Sequence, residues 1–265
     1  MYEFTYRRAA SIEDATAQHK KADDARFLAG GMSLLPTLKL RLDQASDLVD
    51  LGHLEDMRGI TEENGSIVIK AVTPHAIVNA SELVQQKNPM LAKLAGSIGD
   101  PLVRNRGTIG GSLANNDPSA DYPSGTLGLG ATIHTNQRTI PADDFFQGLF
   151  ETALEEGELI TQVSFPIPVR AGYGRFANPA SRFPLVGVFV AETDSGPRVA
   201  VTGAGPCVFR VTDMEAALAK NFAPESFDGI TISPDGLSED IHATATYRAH
   251  LITVLARRAV EEALI

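Results

Sequence analysis

The pattern of hydrophobic and polar positions predicts short strands and helices in an irregular order. Apolar runs within residues 24–30, 47–51 and 65–74 are typical of strands, whereas residues 11–22 and most of 80–99 are expected to be helical. Strands and helices do not alternate steadily before residue 168. The pattern therefore predicts a mixed α and β domain and not a doubly wound parallel sheet.

Local signals place several helix ends. Ser11 followed by Asp14 predicts a capping box at the start of the first helix, and Thr212 with Glu215 predicts another one later in the chain. Gly96 and Gly99 are expected to mark the end of the mostly helical stretch of residues 80–99, because glycine commonly follows the last helical turn.

The last hundred residues form a second predicted unit. Prolines and glycines at residues 165–174 interrupt the pattern and place a domain boundary near residue 168. A hairpin with its turn at residues 194–197 follows. A long helix is expected over residues 243–264, with one apolar face formed by Tyr247, Leu251, Val254 and Leu255.

Composition and charge narrow the classes of function. The 265 residues are 43% hydrophobic and 21% charged, as in soluble globular proteins, and the net charge of -10 argues against nucleic acid as a partner. No apolar run is long enough to cross a membrane. The first fifteen residues lack the apolar core of a signal peptide, so a cytoplasmic location is expected.

The sequence predicts neither a metal site nor a catalytic residue. Cys207 is the only cysteine, which excludes an internal disulfide and any site in this chain with several cysteine ligands. The six histidines show no metal-ligand spacing, and His75 and His134 are expected to be ordinary core or surface residues. No acid–base pair is evident.

Three near matches to nucleotide-binding or catalytic motifs are rejected. The segments GLGATI at 128–133 and GAGPCV at 203–208 lack the third glycine of the dinucleotide fingerprint, and strand-type residues follow each of them. GMSLL at 31–35 lacks the last glycine of a nucleophile elbow. The chain also contains no P-loop motif.

Two glycine-rich segments, AGGMS at 29–33 and GTIGGS at 107–112, are the strongest chemical signal. Consecutive amide groups in such turns can bind an anion without a lysine, and Ser33, Thr108 and Ser112 add hydroxyl donors. Two such loops suit the two phosphates of a pyrophosphate, with Asp121 placed to accept from a ribose hydroxyl or an adenine amine. The spacing alone is equally compatible with glycines that only build tight turns.

Four segments together resemble the FAD-binding medium subunit of the molybdenum hydroxylases. They are FLAGGMSLLPTLKLRL (27–42), DLVDLGHLEDMRGI (47–60), IGDPLVRNRGTIGGSLANNDPSADYP (98–123) and ATYRAHLITVLARRA (245–259). The resemblance covers nearly the whole chain and implies an α+β fold. Residues 1–168 would be an FAD-binding domain of the vanillyl-alcohol-oxidase/PCMH type, with two subdomains split near 52–58. Residues 169–265 would be a small α+β C-terminal domain.

The resemblance also implies which residues bind FAD, and Asp121 would lie on the adenosine side. Ile98, Gly99 and Arg175 would lie near the isoalloxazine, and Arg175 stands where many relatives carry lysine. Arg104 and Arg106 could bind phosphate, but they are expected instead to brace a turn or to pair with carboxylates. Tyr247 and Arg248 are expected to pack and cap the last helix. The full set of implied cofactor-binding residues is Leu28, Ala29, Gly30, Gly31, Met32, Ser33, Leu34, Leu35, Ile98, Gly99, Thr108, Ile109, Gly110, Gly111, Ser112, Asp121 and Arg175.

The function implied by the resemblance is electron transfer within a heterotrimer. A large molybdenum subunit with molybdopterin and a small iron–sulfur subunit with [2Fe-2S] clusters would pass electrons to FAD on this chain, and FAD would pass them to an external acceptor. One alternative is a stand-alone flavin-dependent oxidase or dehydrogenase that acts on a small molecule, although such chains are usually much longer. Another is a non-enzymatic module that has kept the fold but lost the cofactor.

Overall fold

A computed structural model describes all 265 residues, which form four β-sheets and eleven α-helices. The strands are β1 (Thr5–Arg8), β2 (Ala25–Leu28), β3 (Asp47–Asp50), β4 (Ile60–Glu63), β5 (Ser66–Lys70), β6 (Thr132–Thr135), β7 (Thr139–Pro141), β8 (Phe146–Gly148), β9 (Glu151–Thr152), β10 (Ile160–Pro166), β11 (Arg170–Ala177), β12 (Pro184–Thr193), β13 (Gly196–Thr202) and β14 (Phe209–Arg210). The helices are α1 (Ile12–Lys21), α2 (Leu34–Lys39), α3 (His75–Ala80), α4 (Glu82–Lys87), α5 (Pro89–Ser97), α6 (Pro101–Arg106), α7 (Ile109–Asn115), α8 (Tyr122–Gly128), α9 (Ala142–Phe145), α10 (Thr212–Leu218) and α11 (Ala245–Ala263).

The N-terminal sheet is parallel, with the strand order β1-β3-β2. Helix α1 connects β1 to β2, and the Ser11 side chain accepts the Asp14 N–H at 3.1 Å, so the predicted cap is confirmed. Ala15 is fully buried and anchors this helix in the main core. Strand β2 ends at Leu28, and the sheet therefore delivers the first glycine segment at its edge.

The second sheet has five antiparallel strands in the order β4-β5-β10-β6-β7. Apolar side chains of its central strands, such as Ile67, Ile69, Val163 and Phe165, are buried in the main core. The chain between β5 and β6 forms helices α3 to α8. A parallel and an antiparallel sheet in one chain confirm the predicted mixture of α and β without a doubly wound sheet.

The C-terminal sheet is antiparallel, with the order β11-β12-β13-β14, and the predicted hairpin is its β12-β13 pair. Helix α11 lies across β11 and β12. On the opposite side, Phe189 contacts the positions of Gly125 and Gly128 in α8 and belongs to the main core. The apolar core is therefore continuous across residue 168.

The predicted helix of residues 80–99 is two helices, α4 and α5. Pro89 is the first residue of α5, where its missing N–H costs nothing, and the Asn88 side chain accepts the Leu91 N–H at 3.1 Å. The stretch is thus mostly helical as expected, with a break where Asn88 and Pro89 together start a new helix. Ser97 ends α5, close to the predicted end at Gly99.

Two predictions for the C-terminal helices were wrong. Thr212 is the first residue of α10 and not its cap, because the Glu215 carboxylate instead accepts the Val199 N–H at 2.9 Å and hydrogen bonds from Arg210. The buried face of α11 includes Leu251 and Leu255 as expected, but Tyr247 is 41% exposed.

Arg248 does not cap α11 but reaches into the sheet below it. The guanidinium is buried, and Nη1 donates to the carbonyl oxygens of Leu185 and Gly203 at 2.7 and 2.8 Å. Nη2 donates to Asp240 at 2.8 Å. The arginine therefore joins the helix to β12 and to the residues that follow β13.

We expect Gly172→Ala to destabilise the protein by about 3 kcal/mol or more, because an added Cβ would lie 1.8 Å from the Ala259 carbonyl oxygen of α11. The matched control is Gly148→Ala, where the nearest atom is 3.5 Å from the added Cβ. Urea unfolding of both variants measures the difference. Equal midpoints for the two variants would show that α11 does not rest on the β11 backbone.

Candidate functional site

The two glycine segments, far apart in sequence, contact each other. A Cβ added to Gly30 would lie 2.1 Å from the Arg106 carbonyl oxygen and 2.8 Å from Gly107 Cα. A Cβ added to Gly111 would lie 3.8 Å from the Ala29 Cβ. Only glycine permits this approach of one backbone to another. The structure thus brings together the segments that the sequence predicted to share a ligand.

The first segment carries unpaired backbone donors. Gly31 has φ +72°, a conformation that favours glycine, and turns the chain between β2 and α2. The N–H groups of residues 30–33 have no hydrogen-bond partner in the chain, and the Ser33 hydroxyl has none either. Met32 and Ser33 are exposed. Consecutive free amides at a glycine turn are typical of an anion-binding concavity.

The neighbouring leucines support the first segment from inside. Leu34 and Leu35 begin α2 and pack against a small apolar cluster that contains Leu38 and Leu48. The Leu28 carbonyl oxygen accepts the Leu51 N–H at 2.8 Å. The Leu28 carbonyl oxygen therefore anchors one end of the loop, and the side chains of Leu34 and Leu35 anchor the other. The unpaired donors belong to residues 30–33 between them.

The second segment differs from the expected amide nest, since the N–H groups of residues 109–112 are used within the chain and only that of the buried Thr108 lacks a partner. Helix α7 starts here, with Thr108 as its cap: the Thr108 side chain accepts the Gly111 N–H at 3.2 Å, and its carbonyl oxygen accepts the Ser112 N–H at 3.0 Å. The Ile109 and Gly110 N–H groups donate to the carbonyl oxygens of Thr73 and Ala71. The Ser112 hydroxyl has no partner in the chain and remains free to donate.

Gly110 is required by packing. A Cβ added to Gly110 would lie 2.6 Å from the Cβ of Ala71, which follows β5 of the five-stranded sheet. The preceding residue, Ile109, is fully buried. Gly110 therefore lets α7 rest on the sheet, whereas Gly111 faces the first segment. Neither glycine has a positive φ.

The turn at residues 98–100 is braced by an arginine. Gly99 has φ +50°, and Arg104 Nη1 donates to the carbonyl oxygen of Ile98 at 2.9 Å and more weakly to that of Gly99 at 3.4 Å. The expected bracing role of Arg104 is thus confirmed. The same expectation was wrong for Arg106, which is exposed and whose side chain has no hydrogen bond or ion pair in the chain.

Asp121 and Arg175 form a buried ion pair. Arg175 Nε donates to Asp121 Oδ1 at 2.6 Å and Nη2 donates to Oδ2 at 3.3 Å, and the Tyr173 hydroxyl donates to Oδ1 at 2.6 Å. Burial raises the pKa of the Asp121 carboxyl, and the hydrogen bonds and charge of Arg175 with the Tyr173 hydroxyl oppose that rise. Both oxygens of the carboxylate are therefore engaged.

The contact between Asp121 and Arg175 conflicts with their predicted positions along an extended FAD. The adenosine side and the isoalloxazine are opposite ends of FAD, and the sequence placed Asp121 at one end and Arg175 at the other. Because the two side chains touch, both placements hold only if FAD folds back on itself. Sequence reasoning overlooked Tyr173, although Tyr173 and Arg175 are two residues apart on β11 and so point to the same side.

His75 lies behind the second segment as a neutral packing residue. The backbone N–H of His75 donates to the Gly107 carbonyl oxygen at 2.9 Å. The centroid of its imidazole ring lies 5.2 Å from that of the Tyr122 ring. Burial, with a contribution from the charge of Arg104, lowers the pKa of His75 to about 4. The chain gathers no cluster of three His, Cys, Asp or Glu side chains that could hold a metal ion. None of its helices is long and apolar enough to cross a membrane.

Comparisons with known proteins agree on one family. Residues 2–168 match the FAD binding domain in molybdopterin dehydrogenase. The nicotine 6-hydroxylase medium subunit of Paenarthrobacter nicotinovorans is 36% identical, with 97% of this chain and 96% of the relative covered. The carbon monoxide dehydrogenase medium chain of Hydrogenophaga pseudoflava is 32% identical, with 98% and 96% covered.

A solved structure supports the same assignment. The reconstituted CO dehydrogenase from Oligotropha carboxidovorans contains a chain that superposes with a TM-score of 0.92, at 32% identity, and 99% of this chain and 98% of that chain are covered. Sequence and structure therefore agree over the whole length. The chain belongs to the FAD-binding medium subunits of the molybdenum hydroxylases, a family of oxidoreductases.

Proposed function

We propose that the two touching glycine segments hold the pyrophosphate of FAD. The observation that carries the proposal is the approach of Gly30 to the Arg106 carbonyl, which places the free donors of residues 30–33 beside the start of α7. Hydrogen bonds from neutral donors to a phosphate are charge-assisted and stronger than ordinary ones. The hydroxyls of Ser33 and Ser112 add to the free amides, and Thr108 fixes the second segment.

The residues present fit this group. Gly31 permits the positive-φ turn that leaves the N–H groups of residues 30–33 without partners, and the loops contribute donors without requiring a lysine. FAD, when bound, supplies the electron-transfer chemistry, and the protein binds and orients it. Residues 98–99 are proposed beside the isoalloxazine, where the Arg104 brace would fix their backbone.

The proposed domain organisation follows the sheets. The parallel sheet ends at Asp50 and the five-stranded sheet begins at Ile60, which supports two subdomains of the vanillyl-alcohol-oxidase/PCMH type split near 52–58. The third sheet begins at Arg170, which supports a C-terminal α+β domain over 169–265. The continuous apolar core would keep the two domains in a fixed relation.

The proposed partners are a small iron–sulfur chain with [2Fe-2S] clusters and a large molybdenum chain with molybdopterin. Two relatives carry the words medium subunit or medium chain in their names, which implies a larger and a smaller partner. A single cysteine cannot ligate a [2Fe-2S] cluster, so these clusters would be on another chain. Electrons would pass from the clusters through FAD to an external acceptor.

The stand-alone oxidase reading has less support. Such an enzyme needs its own substrate domain, whereas 99% of this chain aligns with a CO dehydrogenase chain. A module that has lost the cofactor is also less well supported, because the free donors of residues 30–33 lack any other partner. Both readings make different predictions from ours.

We expect the chain to bind one FAD without a covalent bond, and Ser33→Ala and Ser112→Ala each to weaken binding by about 1.5 kcal/mol, roughly tenfold in Kd. Each change removes one hydroxyl that has no partner within the chain, so stability should change little. Titration of the apoprotein with FAD, followed by flavin fluorescence, measures the affinity.

The matched control is Ser195→Ala, an exposed serine in the turn between β12 and β13 whose hydroxyl also has no partner. Its Kd should equal that of the wild type. If Ser33→Ala and Ser112→Ala also bind like the wild type, the glycine segments do not hold the phosphates. If the wild-type chain does not bind FAD, the proposed function as an FAD-binding subunit is wrong.

We also expect the isolated chain to be catalytically incomplete. Dithionite should reduce its flavin, but an organic substrate should not, because the substrate site would lie on the molybdenum chain. The test is substrate-driven flavin bleaching with this chain alone and after co-expression with its iron–sulfur and molybdenum partners. Oxidation of a carbon substrate by the chain alone at a comparable rate would favour the stand-alone oxidase.

A further inference from the structure

The Asp121–Arg175 pair joins two separate parts of the chain. Asp121 immediately precedes α8, whose residues are all buried, and Arg175 lies on β11 of the C-terminal sheet. The side chains are only 3% and 15% exposed. Since Tyr173 of the same strand also donates to Asp121, the carboxylate is held by two side chains of β11.

The same arginine holds a surface hairpin. Arg175 Nη2 also donates to the carbonyl oxygen of Arg182, in the turn of residues 178–183 between β11 and β12. Within this turn the backbone N–H of Asn178 donates to the carbonyl oxygen of Phe183, and that of Arg182 donates to the carbonyl oxygen of Asn178, both at 2.8 Å. Arg182 has φ +63°, which is costly for a non-glycine residue and needs support from its surroundings.

The hairpin is joined to the start of α8 through a side chain of β11. The Arg175 guanidinium is the link between this hairpin tip and the buried Asp121.

We propose that Asp121 and Arg175 are a positioning pair: together they fix the hairpin of residues 178–183 to the start of α8 and so order the surroundings of Arg175, the residue that the family resemblance implies beside the flavin. The inference rests on the proposed FAD function. Asp121 acts through Arg175, and Arg175 acts through the Arg182 carbonyl. A guanidinium reaches the carboxylate and the carbonyl at once because its donors form a planar fork, whereas a lysine offers one compact ammonium.

Trypsin provides a direct measurement of the hairpin, because the bond after Arg182 lies within it. We expect Arg175→Gln and Asp121→Asn to speed this cleavage about tenfold in the purified full-length chain, with and without FAD, as the hairpin opens more often. The products are residues 1–182 and 183–265, identified by mass. Arg175→Lys should restore part of the protection, since it keeps the charge but not both contacts.

The double variant decides whether the two residues act as one unit. We expect Asp121→Asn with Arg175→Gln to be cleaved at the same rate as either single variant, because each change already breaks the pair. The matched control is Arg170→Gln, which removes the half-buried Arg170–Glu192 ion pair from the same strand and should leave cleavage after Arg182 unchanged. Additive effects, or equal cleavage in all variants, would overturn the positioning role.

Flavin measurements separate positioning from direct contact. We expect Asp121→Asn and Arg175→Gln to shift the visible absorption of bound FAD alike and to change its Kd by the same factor. If Asp121→Asn weakens FAD much more than Arg175→Gln does, Asp121 contacts the cofactor and the positioning role is wrong. A wild-type chain without FAD binding would instead refute the proposed function, and the cleavage results would still decide whether the pair holds the hairpin.

Discussion

The close contact between the Gly30 position and the Arg106 carbonyl is the constraint on which the rest of the candidate site depends. It fixes the end of the parallel sheet against the end of α6, and so places one glycine segment on the other. A side chain at Gly30 would force the two backbones apart, because a backbone carbonyl cannot rotate away as a flexible side chain can. The remaining features of the site follow from this contact.

The two segments divide the work of the site. The second segment is bound to the central sheet through the carbonyls of Thr73 and Ala71 and capped by Thr108, so it is a rigid wall. In the first segment, none of the N–H groups of residues 30–33 forms a hydrogen bond within the chain. Unsatisfied donors are costly when buried but are tolerated where water or a ligand reaches them, and Met32 and Ser33 are exposed. An anion would therefore gain donors that folding has left available.

Local chemistry could be predicted from the sequence, and long-range contacts could not. The Ser11 cap, the strand before the first glycine segment and the β12-β13 hairpin each depend on neighbouring residues, and all three are present. The break at Asn88 was a local signal that was missed. Helix α8, YPSGTLG, was not predicted because its two glycines disfavour helix, and its complete burial overrides that preference.

Side chains with distant partners account for the other differences. Glu215 was expected to complete a cap, but it accepts the Val199 N–H from a neighbouring strand. Asp121 was expected to face adenosine, and only the folded chain reveals that Arg175 meets it. The family resemblance predicted which residues would bind FAD, and that set stays a prediction. It did not predict that the N–H groups of residues 109–112 would form hydrogen bonds within the chain.

Amide hydrogen exchange of residues 30–33, measured by NMR with and without FAD, tests the central claim most directly. These amides lack partners in the chain, so they should exchange rapidly in the apoprotein and at least roughly tenfold more slowly once FAD is bound. Residues 109–112 are already hydrogen-bonded and should change much less. If FAD binds and slows exchange elsewhere while residues 30–33 exchange as before, the first glycine segment does not hold the phosphates.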